Sequence, residues 1–145
     1  MSLDYLEPVS TEVLETIEGL PDHVLGKNIE IFTEDSGLPE ISNLKICLIF
    51  INEIRNSYYQ ISKFNSNEFR KQFYKLYPGN WNLKIADFGD LPSGKNVEDT
   101  YYALSEICIE LKQANTVPVI IGGSQDLTIP LYESFLKFDN LINIV

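Results

Sequence analysis

Residues 117–126 read Val-Pro-Val-Ile-Ile-Gly-Gly-Ser-Gln-Asp. Val117 to Ile121 is a short apolar run, mostly β-branched, and it stops at a glycine doublet. Leu131, Phe135 and Phe138 then recur at helical spacing, with Pro130 tolerable only in the first turn of that helix. The same unit occurs upstream. Ile46 to Ile51 (Ile-Cys-Leu-Ile-Phe-Ile) is a continuous apolar run, mostly β-branched or aromatic, which suits a strand buried on both faces and hence a parallel sheet. Asn65 and Glu68 have capping-box spacing, Phe69, Phe73 and Leu76 follow on one helix face, and Pro78-Gly79 ends that helix. Leu83 to Phe88 is a further strand, closed by Gly89-Asp90. Asn96 with Asp99 offers another cap, after which Val97, Tyr101, Leu104, Cys108 and Leu111 share a helix face. Leu141 to Val145 opens like one more strand. This alternation is the α/β signature, and right-handed crossovers place helices on both faces of the sheet. The expected fold is a three-layer α/β/α domain with a mainly parallel sheet.

Outside this core the pattern weakens. Leu25 to Thr33 carries the alternation Ile29, Ile31, Thr33, which predicts a short strand, and Glu34 to Ser42 reads as a loop. Thr11 to Glu18 predicts a helix, with Ser10 or Thr11 as N-cap and Gly19 as stop signal. Residues 1–24 therefore read as an appendage to an α/β domain over 25–145. The final strand ends on the last residue, whereas ligand-bearing loops in such sheets follow their strands. The expectation is the N-terminal part of a longer protein, with an open apolar edge that self-associates into a homo-oligomer.

Composition narrows the chemistry. The 145 residues are 44% hydrophobic and 22% charged, enough for one sizeable core. Eleven basic residues face 21 acidic ones, a net charge of −10, which argues against nucleic-acid or anionic-membrane partners. No apolar run approaches the roughly 20 residues of a spanning helix, and no basic segment leads into an apolar one at the N-terminus. Cys47 and Cys108 lie in apolar stretches and read as buried reduced thiols, which suits a cytoplasmic protein. The chain has a single histidine, His23, so a zinc site would have to draw on three scattered residues.

In a parallel sheet the C-terminal ends of the strands share one edge. Three turns gather there: Asn52-Glu53-Ile54-Arg55, Gly89-Asp90, and Gly122-Gly123-Ser124-Gln125-Asp126. The glycine doublet permits a tight turn and close approach of a ligand, and the residues after it open a helix whose free N–H groups suit an anion. An ordinary strand-to-helix turn capped by Ser124 or Asp126 is the plainer alternative. Glu53 and Arg55, with Asn52, are candidates for binding a charged substrate; a solvated charge pair is the alternative. Asp90 is a candidate metal or substrate contact, or a turn former. The doublet is neither a dinucleotide fingerprint nor a phosphate-binding lysine loop.

Val117 to Asp126 resembles the strand and turn of the ureohydrolases (arginase, agmatinase and formimidoylglutamase). There the turn reads Gly-Gly-Asp-His-Ser, and its His binds one of two manganese ions. Phe69-Arg70 followed by Ile85-Ala-Asp-Phe-Gly-Asp90 is similar to that family's Ile-Arg segment and Asp-x-Gly-Asp strand, and Ile46 to Glu53 stands at its first core strand. Leu141 to Val145 looks like the strand leading into its Asp-Ala-His-x-Asp motif. The resemblance covers roughly residues 25–145 and is strongest to a formimidoylglutamase-like branch, with Gly79-Asn80-Trp81-Asn82 nearby. It implies a truncated arginase-like fold, a hydrolase of amidine or guanidine C–N bonds, manganese, and a small-molecule substrate. Ser124 and Gln125 depart from the pattern. Gln125, in place of the His, is a weak metal ligand at best. The resemblance therefore implies a segment inactive alone, its other metal ligands lying past residue 145. A metal-free pseudo-enzyme or interaction module is the rival reading.

Overall fold

The computed structural model describes residues 2–59 and 64–138. Four strands, β1 (Glu30–Ile31), β2 (Ile46–Ile51), β3 (Ile85–Leu91) and β4 (Val117–Ile121), form one sheet in the order β1-β3-β2-β4. Every pairing is parallel. Four α-helices accompany them: α1 (Thr11–Glu18), α2 (Ser66–Phe73), α3 (Val97–Gln113) and α4 (Thr128–Leu136). The expected strand at Leu141–Val145 lies outside the described residues.

Strand alternation splits β2 between two layers. Cys47, Ile49 and Ile51 join Leu104, Ile107, Cys108 and Leu111 of α3 in the main core. Leu48 and Phe50 face the other way, where Phe50 meets Phe69 of α2 at 5.7 Å between ring centroids. Helices therefore cover both faces, giving the three-layer α/β/α arrangement. Leu104, Ile107 and Leu111 are fully buried, and each stabilises the fold by about 1.5–3 kcal/mol. The cap of α3 is as its sequence predicts. The Asn96 side chain accepts from Asp99 N–H, and the Asp99 side chain accepts from Asn96 N–H.

The strand expected to close at Phe88 instead continues through Gly89 and Asp90 to Leu91. Leu48 pairs with Asp87 and Phe50 with Asp90, so two residues of β3 oppose one of β2. This is a β-bulge, made possible by Gly89 at φ +83°. Beyond the bulge the backbone of Glu7 takes up Asp90, with N–H···O distances of 2.8 and 2.9 Å. A Cβ on Gly89 would lie 1.9 Å from the Glu7 carbonyl oxygen, so only glycine fits there.

Residues 2–24 pack closely on the sheet and helices. Leu3 and Leu6 belong to the main core. Val9, Val13 and Ile17 form a second core with Tyr74. α1 runs from Thr11 as expected, but Ser10 makes no side-chain cap bond. Over Leu25–Thr33 the strand shrinks to Glu30–Ile31, and Leu25–Lys27 forms a 3-10 turn.

Candidate functional site

The C-terminal tips of β2, β3 and β4 meet at one edge, and specific bonds hold them there. Ser124 N–H donates to the Glu53 carbonyl at 2.8 Å, tying the turn after β4 to the tip of β2. The Ser93 hydroxyl donates to the Asn52 carbonyl at 3.1 Å, tying in the loop after β3. Gly122 and Gly123 have φ of +91° and +78°. Their lack of Cβ serves contact with protein. A Cβ on Gly122 would come within 2.4 Å of the Phe64 ring and 2.8 Å of the Ile51 carbonyl oxygen. On Gly123 it would collide with Leu127 at 2.1 Å. The doublet thus lets the turn press onto the end of β2, and its close approach is to its own chain.

Glu53 and Arg55 find each other. Glu53 is fully buried, and it accepts from Arg55 Nε at 2.8 Å, from Arg55 N–H at 3.0 Å and from the Thr100 hydroxyl at 2.9 Å. Arg55 also donates to the carbonyls of Gly94 and Lys95, both at 3.1 Å. The pair therefore clamps the loop before α3 onto β2. Hydrogen bonding from Arg55 holds the Glu53 carboxyl below the usual carboxylate range, against the opposing effect of burial.

Asp126 accepts from the Tyr101 hydroxyl and from the Asn56 amide, the latter at 3.0 Å. Burial pulls its carboxyl up, but donors from Ser124, Tyr101 and Asn56 outweigh that, and it sits below the ordinary value. The same bond to Asp126 pushes the Tyr101 hydroxyl up. Gln125 is exposed beside it, at the start of a 3-10 turn leading into α4.

A second buried network lies across the sheet. Arg70 on α2 is wholly enclosed. It grips Asp87 through Nε at 2.9 Å and a terminal nitrogen at 3.0 Å, and reaches Asp90 at 2.6 Å through the other. Its guanidinium lies 3.8 Å from the centroid of the Phe50 ring. Asp87 accepts further bonds from the Tyr74 hydroxyl at 2.6 Å and Gly89 N–H at 2.8 Å. Burial would lower the Arg70 pKa, but hydrogen bonds and charge from Asp87, with Asp90 behind them, raise it. Burial, reinforced by Asp87, likewise raises Tyr74.

The residues singled out from sequence therefore fall into distinct places. Asn52, Glu53, Arg55, Ser124 and Asp126 gather at one edge, joined by bonds to one another or to residues between them. Asp90 is at the same edge but is tied to Arg70. His23 is exposed on the loop after α1, away from these groups in sequence and in partners. Sequence patterns assign no role to Thr100, Asn56 or Tyr101, and do not pair Arg70 with Asp87. A charged residue inside an otherwise apolar strand needs a partner, and Arg70 and Tyr74, four residues apart on α2, share the face that supplies it.

These groups do not fit a manganese centre. Manganese needs several free oxygen or nitrogen ligands, and the carboxylates of Glu53 and Asp87 are each engaged by two or more donors; Asp126 keeps one buried oxygen, Oδ1, without a partner among the described residues, and one such oxygen does not make a site. Among the described residues no three His, Cys, Asp or Glu side chains come together in a way that holds a metal. Gln125 has no such set to join. No helix among the described residues is long and apolar enough to cross a membrane. No family model matches the chain, and no curated protein matches it either.

Proposed function

We propose that this chain is the N-terminal portion of a ureohydrolase-like protein that hydrolyses a C–N bond of an amidine or guanidine, with formimidoylglutamate-type compounds as the substrate class. One observation supports this reading above the others. The segments that carry the resemblance, Ile46–Glu53, Ile85–Asp90 and Val117–Asp126, lie on adjacent parallel strands and deliver their ends to a single edge. Ligands of open α/β sheets bind at that edge. Manganese is the metal of the parent family, and in this reading its ligands come from residues other than those described. The chain by itself is then inactive, because its described residues do not supply most of the metal ligands that the reading requires. We place the protein in the cytoplasm, as its two reduced buried thiols suit. Val117 and Val119, 58% and 37% exposed on β4, the edge strand among the described residues, favour a homo-oligomer.

The test is an amidine- and guanidine-hydrolysis assay with manganese, run on the 145-residue chain and on any longer form. The expected result is no turnover by the chain and turnover by the longer form. Activity in the chain alone contradicts the claim of inactivity, and inactivity of the longer form on every such substrate contradicts the family reading. Gln125, standing where the family has its metal-binding His, favours the rival, a metal-free pseudo-enzyme or interaction module. Two manganese ions per subunit in the longer form support the hydrolase; none supports the module.

A further inference from the structure

A cleft of about 370 Å³ opens beside the tip of β3, lined by Asn52, Asn65, Ser66, Asn67, Asp90 and Ser93 among others. That volume falls in the range of small-molecule sites, about 300–1,000 Å³. The Gly122–Asp126 turn does not line it, but Asn52 and Asp90 belong to the same strand-tip edge, so the inference rests on reading that edge as a ligand site. Its electrostatics rest on a charge count. Arg70 supplies one positive charge, and Asp87 and Asp90 supply two negative ones, so the network retains one negative charge. Asp87 is fully enclosed and receives four donors, two from Arg70 and one each from Tyr74 and Gly89. Asp90 is the partly exposed member, with 25% of its side chain open, and receives Arg70 on Oδ2 alone. The surplus charge is therefore presented to the cleft by Asp90, whose Oδ1 meets no donor among the described residues. Arg70 acts behind it as a positioning residue.

The opposite polarity comes from amides. Asn52 Oδ1 is committed to Phe64 N–H at 3.2 Å, and Asn65 Oδ1 to Glu68 N–H at 3.2 Å. Only the NH₂ ends of these side chains remain, and they are donors. Neither meets an acceptor among the described residues. The cleft thus offers the free oxygen of Asp90 and the amide donors of Asn52 and Asn65, with Glu7 and Asn67 also in its lining. We propose that it binds a small zwitterion, with a nitrogen cation bonded to Asp90 and a carboxylate bonded to the amides of Asn52 and Asn65.

The test is an NMR titration of the full chain at constant ionic strength with 4-aminobutyrate, using butylamine and butyrate as one-ended controls. The expected result is saturable shifts confined to the amides of residues 52, 65–67, 90, 91 and 93, with each control at least about tenfold weaker. Asp90→Asn keeps an oxygen for Arg70 but removes the charge. It should weaken 4-aminobutyrate and butylamine at least about tenfold and leave butyrate unchanged. Asn65→Ser keeps a capping oxygen and removes the NH₂; it should weaken 4-aminobutyrate and butyrate and spare butylamine. Absence of saturable shifts, equal binding of butyrate and 4-aminobutyrate, or stronger binding of calcium at the same amides overturns the proposal. The comparison of the three ligands on the unaltered chain decides it even if a variant does not fold.

Discussion

Replacing Arg70 with Met tests the buried network most sharply. The guanidinium makes three charge-assisted bonds, two to Asp87 at 2.9 and 3.0 Å and one to Asp90 at 2.6 Å, and packs on the Phe50 ring. Methionine fills much of the volume but leaves Asp87 enclosed, with only Tyr74 and Gly89 as donors. Breaking a buried pair by removing one partner costs about 3–5 kcal/mol, because the remaining charge stays uncompensated. For a chain of this length that lowers Tm by roughly 6–20 °C. Urea unfolding followed by circular dichroism measures the loss. The second half of the cycle is Asp87→Asn added to Arg70→Met. The asparagine oxygen can accept from Gly89 N–H while its NH₂ donates to the Tyr74 hydroxyl, and it carries no charge, so the double variant should regain at least about 1 kcal/mol over Arg70→Met alone. A loss under about 1 kcal/mol for Arg70→Met, or a double variant worse than the single, refutes the reasoning.

Three further outcomes are expected. Gly89→Ala places a Cβ 1.9 Å from the Glu7 carbonyl at φ +83°, so it should destabilise by on the order of 3 kcal/mol or more and free the first residues to rapid amide exchange. Glu53 and Asp126 both titrate below their ordinary values of 4.5 and 3.8 in the folded state. Their stabilisation is therefore present above those values and lost as pH falls through the lower folded ones. Glu53→Gln should flatten the acid limb of the stability–pH curve, and an unchanged limb counts against the Arg55 clamp. Burial raises both thiols, Cys108 to about 12 and Cys47 further, with the charge of Asp87 adding to burial there. Neither should react with Ellman's reagent at pH 8 until the chain unfolds; rapid labelling of the folded protein contradicts their burial.

Much of the fold was legible because strong local signals coincide with the tertiary solution. Ile46–Ile51 and Val117–Ile121 form strands at the bounds their apolar runs suggest. The Asn96–Asp99 box caps α3 because both partners lie within one turn. Misreadings arose where a distant segment decides the local outcome. Gly89-Asp90 looks like a turn, yet the backbone of Glu7 pairs with Asp90 and carries β3 onward. Leu3 and Leu6 sit in a stretch without periodicity, so nothing local signals that they enter the core. At the edge, the convergence of the strand tips follows from parallel topology alone. The pairing of Glu53 with Arg55 is local and legible as a charge pair, but its burial and the Thr100 hydroxyl that completes it depend on where α3 begins relative to β2. That relation spans 47 residues of sequence and leaves no short-range trace.

The convergence of the tips of β2, β3 and β4 on one edge underlies both proposals, and inter-strand NOEs in the isotopically labelled chain test it most directly. Parallel pairing of Leu48 with Val119 and of Leu48 with Asp87, together with contact between Ser124 N–H and the Glu53 backbone, predicts Hα–HN cross-peaks along both strand pairs. Strong Hα–Hα cross-peaks between opposite residues, the signature of antiparallel strands, or no contact between Ser124 and Glu53, contradicts it.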